Sequence, residues 1–176
     1  MGISDIVIRP AADGDKKSIL ALGPRLAIGV APWRNQKEAL AVGRSWLEDS
    51  IAAAAAGDGT VLVAVDNSKR RARAGDVVGV ISVRPSRHFT GERDGYIGEL
   101  AVAEHAARRG IGRALVAGAE AWARDRGLEN LTLHTGIFNT EARAFYASLG
   151  FAEEEVRLTR AISVPRAPGE GTVRSG

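Results

Sequence analysis

The sequence predicts an α/β domain built on one mixed sheet, with antiparallel strands in its first half and a central parallel strand pair. Two observations carry this prediction. The β-branched runs at 60–65 and 77–83 are separated by a polar turn, which is typical of a β-hairpin. Between 96 and 135 a strand, a helix and a second strand follow one another, and such a unit joins two parallel strands by a right-handed crossover.

The first half is predicted to hold five elements. They are a strand at 6–8, a helix at 13–22, a longer helix from 34 or 35 to 56, and the hairpin strands at 60–65 and 77–83. The residues from Asp13 to Asp15 offer N-caps for the first helix, and Gly23-Pro24 breaks it. Gly57 ends the second helix. The polar turn at 67–75 is rich in arginine and lysine.

The second half is predicted to hold five more elements. They are a strand at 96–103, a helix at 111–126, a strand at 131–135, a helix at 140–148 and a last strand at 156–162. Alternation along the first of these strands predicts Tyr96, Gly98, Leu100 and Val102 on one face, with Ile97, Glu99 and Ala101 on the other. We expect a single domain over 1–162 and a loose tail over 163–176.

The composition is that of an ordinary globular chain. Its 176 residues are 45% hydrophobic and 26% charged, which is enough for one domain with a sizeable core. No apolar run is long enough to span a bilayer, and the N-terminus lacks the layout of a secretory signal. The chain has no cysteine and three scattered histidines, which excludes disulfides and thiolate chemistry and gives no metal-ligand spacing. We expect a cytoplasmic protein without a metal.

The stretch 95–127 is the centre of the sequence, because it passes from a strand through an Arg/Gly turn into a strong helix. Such a turn leaves backbone amides free at the helix N-terminus, where they can bind a phosphate group. A P-loop is excluded, since Gly112 is followed by Arg113-Ala114 instead of Lys-Ser/Thr. A dinucleotide-binding turn is disfavoured, since Leu115 stands where glycine or alanine is needed.

Three segments share a different pattern. They are Gly98-Glu99-Leu100-Ala101-Val102, then Ala107-Arg108-Arg109-Gly110-Ile111-Gly112-Arg113-Ala114-Leu115, and then Asn139-Thr140-Glu141-Ala142-Arg143-Ala144-Phe145-Tyr146 with Leu149-Gly150-Phe151 after it. In order and spacing they resemble the acetyl-CoA site of the GNAT superfamily of N-acetyltransferases. The detailed resemblance covers 95–151. The sequence departs from the family at Ala107, where Gln or Arg is usual, and at Arg108, where Gly is common.

The resemblance implies a GNAT-like acyl-CoA N-acyltransferase fold, in which the two central parallel strands splay apart and helices flank the sheet. It also implies acetyl-CoA as cosubstrate. The Val102 N–H would donate to the thioester carbonyl, and the amides of 109–114 would hold the pyrophosphate. The cofactor-binding residues implied in this way are Leu100, Ala101, Val102, Arg108, Arg109, Gly110, Ile111, Gly112, Arg113, Ala114, Asn139 and Tyr146. Asn139 could equally be the N-cap of its helix.

Two catalytic residues are predicted on the same basis. Tyr146 would act as general acid towards the coenzyme A thiolate, the alternative being a core tyrosine of an amphipathic helix. Glu99 would act as base towards the amine or bind it, the alternative being an exposed strand glutamate. His134, on the neighbouring strand, is a second candidate for the base.

The predicted function is acetylation of a primary amine, on a small molecule or a peptide, by direct attack in a ternary complex. Two other functions stay open. One is a non-catalytic acyl-CoA-binding regulatory module. The other is an acetyltransferase acting on charged tRNA, suggested by the basic turn and a pI of about 9.7, although a net charge of +3 favours a solvated surface. Only one strand is evident after Phe151, which makes a homodimer an expectation.

Overall fold

The computed structural model describes residues 5–68 and 76–162. They form a five-stranded mixed sheet in the order β1-β2-β3-β4-β5, in which only the pairing of β4 with β5 is parallel. The strands are β1 Ile6–Pro10, β2 Thr60–Asp66, β3 Asp76–Arg87, β4 Arg93–Val102 and β5 Asn130–Leu133. The helices are α1 Lys16–Leu20, α2 Gln36–Ala55, α3 Ile111–Arg124 and α4 Thr140–Ala147. The predicted mixed α/β fold, with a parallel central pair, is confirmed.

Helices cover both faces of the sheet. On one face, α3 buries Ile111, Leu115 and Ala119 against inward-facing strand residues that include Leu62 and Ile81. On the other face, α1 and α2 bury a second cluster, made of Ile19, Leu20, Leu22, Leu47, Val61, Val63, Val65, Val80 and Ala101. Neighbouring residues of β2 therefore belong to different clusters, which explains why this strand is a continuous apolar run.

The ends of the two long helices follow from local sequence. The Asn35 side chain accepts hydrogen bonds from the Lys37 and Glu38 amides, at 3.1 and 3.3 Å, and so caps α2. Gly57, with φ of 87°, takes the left-handed conformation that ends it. Gly110, with φ of 80°, is the N-cap of α3. The predicted boundaries of these helices agree with the structure to within two residues.

A bulge in β4 makes the predicted alternation wrong. Ile81 pairs with Leu100 and Val83 pairs with Ile97, so Ser82 alone stands opposite Gly98 and Glu99. Ile97 consequently packs in the same cluster as Leu100 and Val102, not on the opposite face. A Cβ atom at Gly98 would lie 2.8 Å from the Ser82 hydroxyl, and Glu99 points the same way. Strict alternation is restored only from Glu99 to Val102.

The predicted last strand is also wrong. No residue of 151–162 is in a strand, and the side chains of Val156, Leu158 and Ile162 are 84%, 89% and 83% exposed. An alternating sequence becomes a strand only where a neighbouring strand supplies hydrogen bonds and a buried face. After Gly150 this segment pairs with no described strand. Its side-chain contacts include the ion pair of Glu153 with Arg143 on α4 and the approach of Glu155 to His134.

Two predicted regions lie outside the described residues. They are positions 69–75 of the basic turn and the tail at 163–176. Among the helices that are described, none combines the length and apolarity needed to cross a membrane.

Candidate active site

The turn before α3 leaves backbone amides without partners. No side chain among the described residues caps this helix, whose N-cap is Gly110. The amides of Ile111, Gly112 and Arg113 fall in the first turn and therefore have no acceptor within the helix. These donors, at the positive end of the helix dipole, fit a phosphate or another anion.

The backbone of this turn is strained at one residue. Arg108 has φ of 63° and is the only non-glycine residue with positive φ in 5–68 and 76–162. A side chain in this left-handed region costs about 1–2 kcal/mol. Gly110, two residues on, adopts the same region without that cost. Alternation of left-handed residues directs successive amides to one side of a turn, which is the geometry of an anion-binding concavity.

The three arginines of the turn face different surroundings. Arg108 and Arg113 are exposed. Arg108 Nη1 lies 3.7 Å from Glu141 Oε1, and Arg113 Nη2 lies 3.5 Å from the Ser148 hydroxyl. Arg109 instead turns inward and donates from Nη1 to Asp66 Oδ2, at 2.8 Å. Two guanidinium groups therefore remain at the surface near the helix N-terminus. Any contact of Arg109 with a cofactor would have to come from its backbone.

The partner of Arg109 is a buried carboxylate. The Arg109 guanidinium, and then the Ser68 amide and hydroxyl, hold the pKa of Asp66 at about 2, below its usual 3.8. The folded protein therefore releases this proton more readily than the unfolded chain does. Because the folded-state pKa is the lower one, the pair contributes stability above about pH 4, and this contribution is lost as the pH falls through 2.

We expect Asp66→Asn to lower the free energy of unfolding at neutral pH and to lose this deficit in strong acid. The fall of the Asp66 pKa from 3.8 to about 2 sets the pH-dependent part of this difference at about 2 kcal/mol. Urea unfolding of both proteins, from neutral to strongly acidic pH, measures the difference. A difference that stays constant over this range would contradict the assigned pKa.

The ring of Phe145, on α4, packs against Gly112 in the first turn of α3, and Tyr146 is the next residue along α4. A Cβ atom at Gly112 would lie 3.1 Å from Cζ of Phe145, the residue before Tyr146. The Tyr146 ring packs edge-on against Phe145 and Phe151, with centroids 5.2 and 5.4 Å away. Burial raises the pKa of Tyr146 to about 12, and its hydroxyl has no hydrogen-bond partner among the described residues. The phenol is thus protonated at neutral pH and has a proton to donate.

Asn139 uses its side-chain amide within the protein. Its Oδ1 accepts from the Ala142 amide at 3.2 Å, which is the N-cap of α4, and its Nδ2 donates to the Ile28 carbonyl at 3.3 Å. A Cβ atom at Gly29, where φ is 82°, would lie 2.3 Å from Asn139 Cβ. The segment after α1 therefore lies directly on the start of α4, and the predicted capping role of Asn139 is observed.

The edge of β4 is open beyond its bulge. Parallel pairing with β5 ends at Ile97 and Leu133, and no described strand pairs with the remainder of β4 on that side. The Ala103 amide donates to the Val78 carbonyl at 2.8 Å. Since hydrogen-bonded and non-hydrogen-bonded pairs alternate, the N–H and C=O of Val102 point away from β3, towards the open edge.

The same alternation gives opposite backbone directions to Leu100 and Ala101, the other two residues of this strand that are predicted to bind the cofactor. Leu100 is two residues before Val102, so its backbone groups also face the open edge. Ala101 faces β3 with its backbone and is 3% exposed. The predicted strand edge therefore exists, and its free backbone groups belong to Leu100 and Val102.

Glu99 is buried under α2. Its Oε2 accepts hydrogen bonds from the hydroxyls of Ser50, at 2.7 Å, and Ser82. The Ser82 hydroxyl also accepts from the Glu99 amide at 3.1 Å, which satisfies a donor that the bulge takes out of the ladder. Glu99 is 8% exposed, so it is not the exposed strand glutamate of the alternative interpretation. The hydroxyl donors offset the cost of burying its carboxylate.

His134 lies just past the end of β5. Its Nδ1 is 3.1 Å from the Tyr96 hydroxyl, and its Nε2 is 3.8 Å from Glu155. The Arg84 guanidinium lies 5.4 Å from the centre of the Tyr96 ring. Burial is the main cause that raises the pKa of Tyr96.

The structure thus groups the predicted residues into four places: the turn, the open edge of β4, the buried carboxylate under α2, and α4 with Asn139 at its N-cap and Tyr146 within it. His134, the second candidate base, lies apart from these, just past β5.

Sequence reasoning missed Asp66, Ser50 and Ser82. Asp66 and Arg109 are 43 residues apart, and Ser50 and Glu99 are 49 apart, so no local pattern connects them. A polar residue at the end of a buried apolar strand was the only available sign of Asp66.

Comparison with known proteins bears on both fold and family. Residues 29–151, more than half of the chain, match the model of the acetyltransferase (GNAT) family. None of the curated proteins matches. An acetyltransferase from Trypanosoma brucei is 22% identical, with a TM-score of 0.62, over 90% of this chain and 100% of that chain.

Two more solved structures cover 90% of this chain and 99% of their own. Glucosamine-6-phosphate N-acetyltransferase from Arabidopsis thaliana is 16% identical, with a TM-score of 0.60. AAC(6')-Iy, in complex with the bisubstrate analog CoA-S-monomethyl-acetylneamine, is 18% identical, with a TM-score of 0.62. At these identities the three structures establish a shared fold.

Proposed function

The chain belongs to the GNAT acetyltransferase family, and on that premise we propose that it transfers an acetyl group from acetyl-CoA to a primary amine. Transfer occurs by direct attack in a ternary complex. One observation carries the proposal: the free first-turn amides of α3 come after the turn that follows β4, the strand whose open edge presents the N–H of Val102. An anion site and a carbonyl-binding donor on consecutive elements suit a ligand with a pyrophosphate and an acyl group.

The residues of the turn and the strand bind and orient. Acetyl-CoA supplies an acetyl thioester that is already activated, so no covalent enzyme intermediate is needed. The amides of Ile111 to Arg113 hold the pyrophosphate, with the exposed guanidinium groups of Arg108 and Arg113 adding charge. The Val102 N–H donates to the thioester oxygen and stabilises the negative charge that develops there during attack.

Two side chains handle protons. Glu99 accepts a proton from the ammonium group through water, since its carboxylate is buried and Ser50 and Ser82 already donate to one of its oxygens. The amine nitrogen then forms a bond to the acyl carbon, the C–S bond breaks, and Tyr146 gives its phenolic proton to the departing thiolate. The amide nitrogen loses its second proton to solvent, Glu99 releases the proton that it accepted, and Tyr146 regains a proton from solvent.

The acceptor is a small-molecule or peptide amine. Among similar folds, one protein is named for glucosamine-6-phosphate and another is bound to the bisubstrate analog CoA-S-monomethyl-acetylneamine. These names favour amino sugars as the first compounds to test here. A homodimer stays a prediction.

A thiol-release assay tests the proposal. The protein is incubated with acetyl-CoA and a panel of amino sugars, polyamines, amino acid derivatives and peptides, and free thiol is measured with and without each amine. We expect amine-dependent release, together with a product heavier by one acetyl group in mass spectrometry. If calorimetry detects coenzyme A binding and no amine releases thiol, the chain is a non-catalytic acyl-CoA-binding module instead.

A further inference from the structure

A buried ion pair ties the phosphate-binding turn to the far side of the sheet. Asp66 is the last residue of β2, which is separated from β4 by β3. Arg109 belongs to the turn between β4 and α3. Its guanidinium reaches Asp66 Oδ2 at 2.8 Å, and the Asp66 and Arg109 side chains are 1% and 16% exposed.

This pair is better suited to fixing a conformation than to adding stability. Removing two charges from water offsets much of their attraction, so a buried pair is a weak source of stability. Here the balance is less favourable still, because Nε of Arg109 is buried and has no hydrogen-bond partner among the described residues. The carboxylate is itself held in place, since Asp66 Oδ1 accepts from the Ser68 amide at 2.9 Å.

The pair acts on the most strained part of the turn. Arg109 stands between Arg108 and Gly110, whose φ angles are 63° and 80°. A side chain in the left-handed region persists only where its surroundings fix it. Arg108 is exposed, so its own side chain does little of this. On one side of it the Ala107 amide donates to the Glu104 carbonyl at 3.1 Å, and on the other side the Arg109 guanidinium is anchored on Asp66.

We propose that Asp66 is a positioning residue for cofactor binding, which acts through Arg109 to hold residues 108–110 in the conformation that presents the first-turn amides of α3. The inference rests on the proposed function, because it assigns those amides to the pyrophosphate of coenzyme A. The Asp66 side chain is 1% exposed, so it acts on the ligand through Arg109 and not by direct contact. Its removal lets the turn relax, and the amides then have to be reordered when the ligand binds.

The first test is binding of coenzyme A by calorimetry to the wild type and to Asp66→Asn, which has the same shape without the charge. We expect Kd, and KM for acetyl-CoA, to rise about 10-fold, while kcat at saturating acetyl-CoA and KM for the amine change little. The matched control is Asp15→Asn. This substitution breaks the ion pair of Arg9 with Asp15, in which the nitrogen and oxygen are 2.6 Å apart and the Asp15 side chain is 12% exposed. Asp15 lies in the turn that leads into α1.

The outcomes are distinct. If the wild type binds no coenzyme A, the proposed function fails and takes this inference with it. If the wild type binds and Asp66→Asn has the same Kd, only the inference fails. An equal loss of affinity in Asp15→Asn would assign the effect to general destabilisation and would also overturn it. If Asp66→Asn does not fold, Arg109→Gln, which removes the charge of the other partner, serves in its place, and an unchanged Kd in that variant overturns the inference.

A second test isolates the backbone. Asp66→Asn is introduced into two backgrounds, Arg108→Ala and Arg108→Gly. Both backgrounds lose the charge of Arg108, but only alanine keeps a Cβ atom in the left-handed region. We expect the extra substitution to weaken coenzyme A binding in the alanine background and to have little effect in the glycine background. An equal loss in both would mean that Asp66 does not act through the conformation of this turn.

Discussion

Replacing Tyr146 by phenylalanine is expected to lower the turnover number for acetyl transfer by about 10²–10⁴-fold, the usual contribution of a positioned general acid. The ring contacts with Phe145 and Phe151 do not depend on the hydroxyl, so the packing of α4 is expected to persist. The hydroxyl also lacks a hydrogen-bond partner among the described residues, and its loss leaves no buried donor unsatisfied. Affinity for coenzyme A should therefore stay near the wild-type value.

Steady-state kinetics and calorimetry on the same preparation separate these effects. Tyr96→Phe is the matched control, because it removes the other phenol of a chain with two tyrosines. Since burial raises the pKa of Tyr146 to about 12, its proton is retained up to strongly alkaline pH, and no loss of turnover near pH 10 is expected from this group. Parallel losses of turnover and coenzyme A affinity in Tyr146→Phe would contradict the acid assignment.

Gly112→Glu is expected to abolish detectable coenzyme A binding. A carboxylate in the first turn of α3 would compete for the free amides and repel the pyrophosphate. Its Cβ atom would also press on Phe145, 3.1 Å away, and so disturb the helix that carries Tyr146. Calorimetry gives the affinity, and circular dichroism shows whether the variant is folded.

Gly112→Gln separates charge from bulk, because it places nearly the same volume at this position without the negative charge. We expect it to bind coenzyme A weakly, and better than the glutamate variant does. Raising the salt concentration should narrow the gap between the two, since salt screens the repulsion. Wild-type affinity in Gly112→Glu would show that the turn does not bind phosphate.

The parts of the fold that were predictable depend on neighbouring residues. The apolar period and the following glycine predict α2 and its end, and the Arg/Gly turn predicts the start of α3. The bulge in β4 was not predictable, because Ser82 on another strand supplies the hydrogen bonds to Glu99 that satisfy it. The expected strand at 156–162 has the right alternation but pairs with no described strand, and strand pairing is decided by the tertiary structure.

The candidate site also has parts that the local sequence predicts and parts that depend on the tertiary structure. The free amides of α3 follow from the turn sequence, and the resemblance to the family predicts Val102, whereas the direction of the Val102 backbone follows from the pairing of β4 with β3. The inward orientation of Arg109 depends on Asp66, 43 residues earlier. The sequence of the turn does not distinguish its three arginines from one another. Only the fold shows that Arg109 is buried and that the other two lie at the surface.

The bulge in β4 also divides that strand into two halves of opposite phase. Before the bulge, odd-numbered residues such as Ile97 pack into the core under α3. After it, even-numbered residues such as Leu100 and Val102 do so. Insertion or removal of a single residue at Gly98 would exchange inside and outside for the half that carries Leu100 and Val102. The length of this short segment is therefore under tighter constraint than the identity of any one side chain in it.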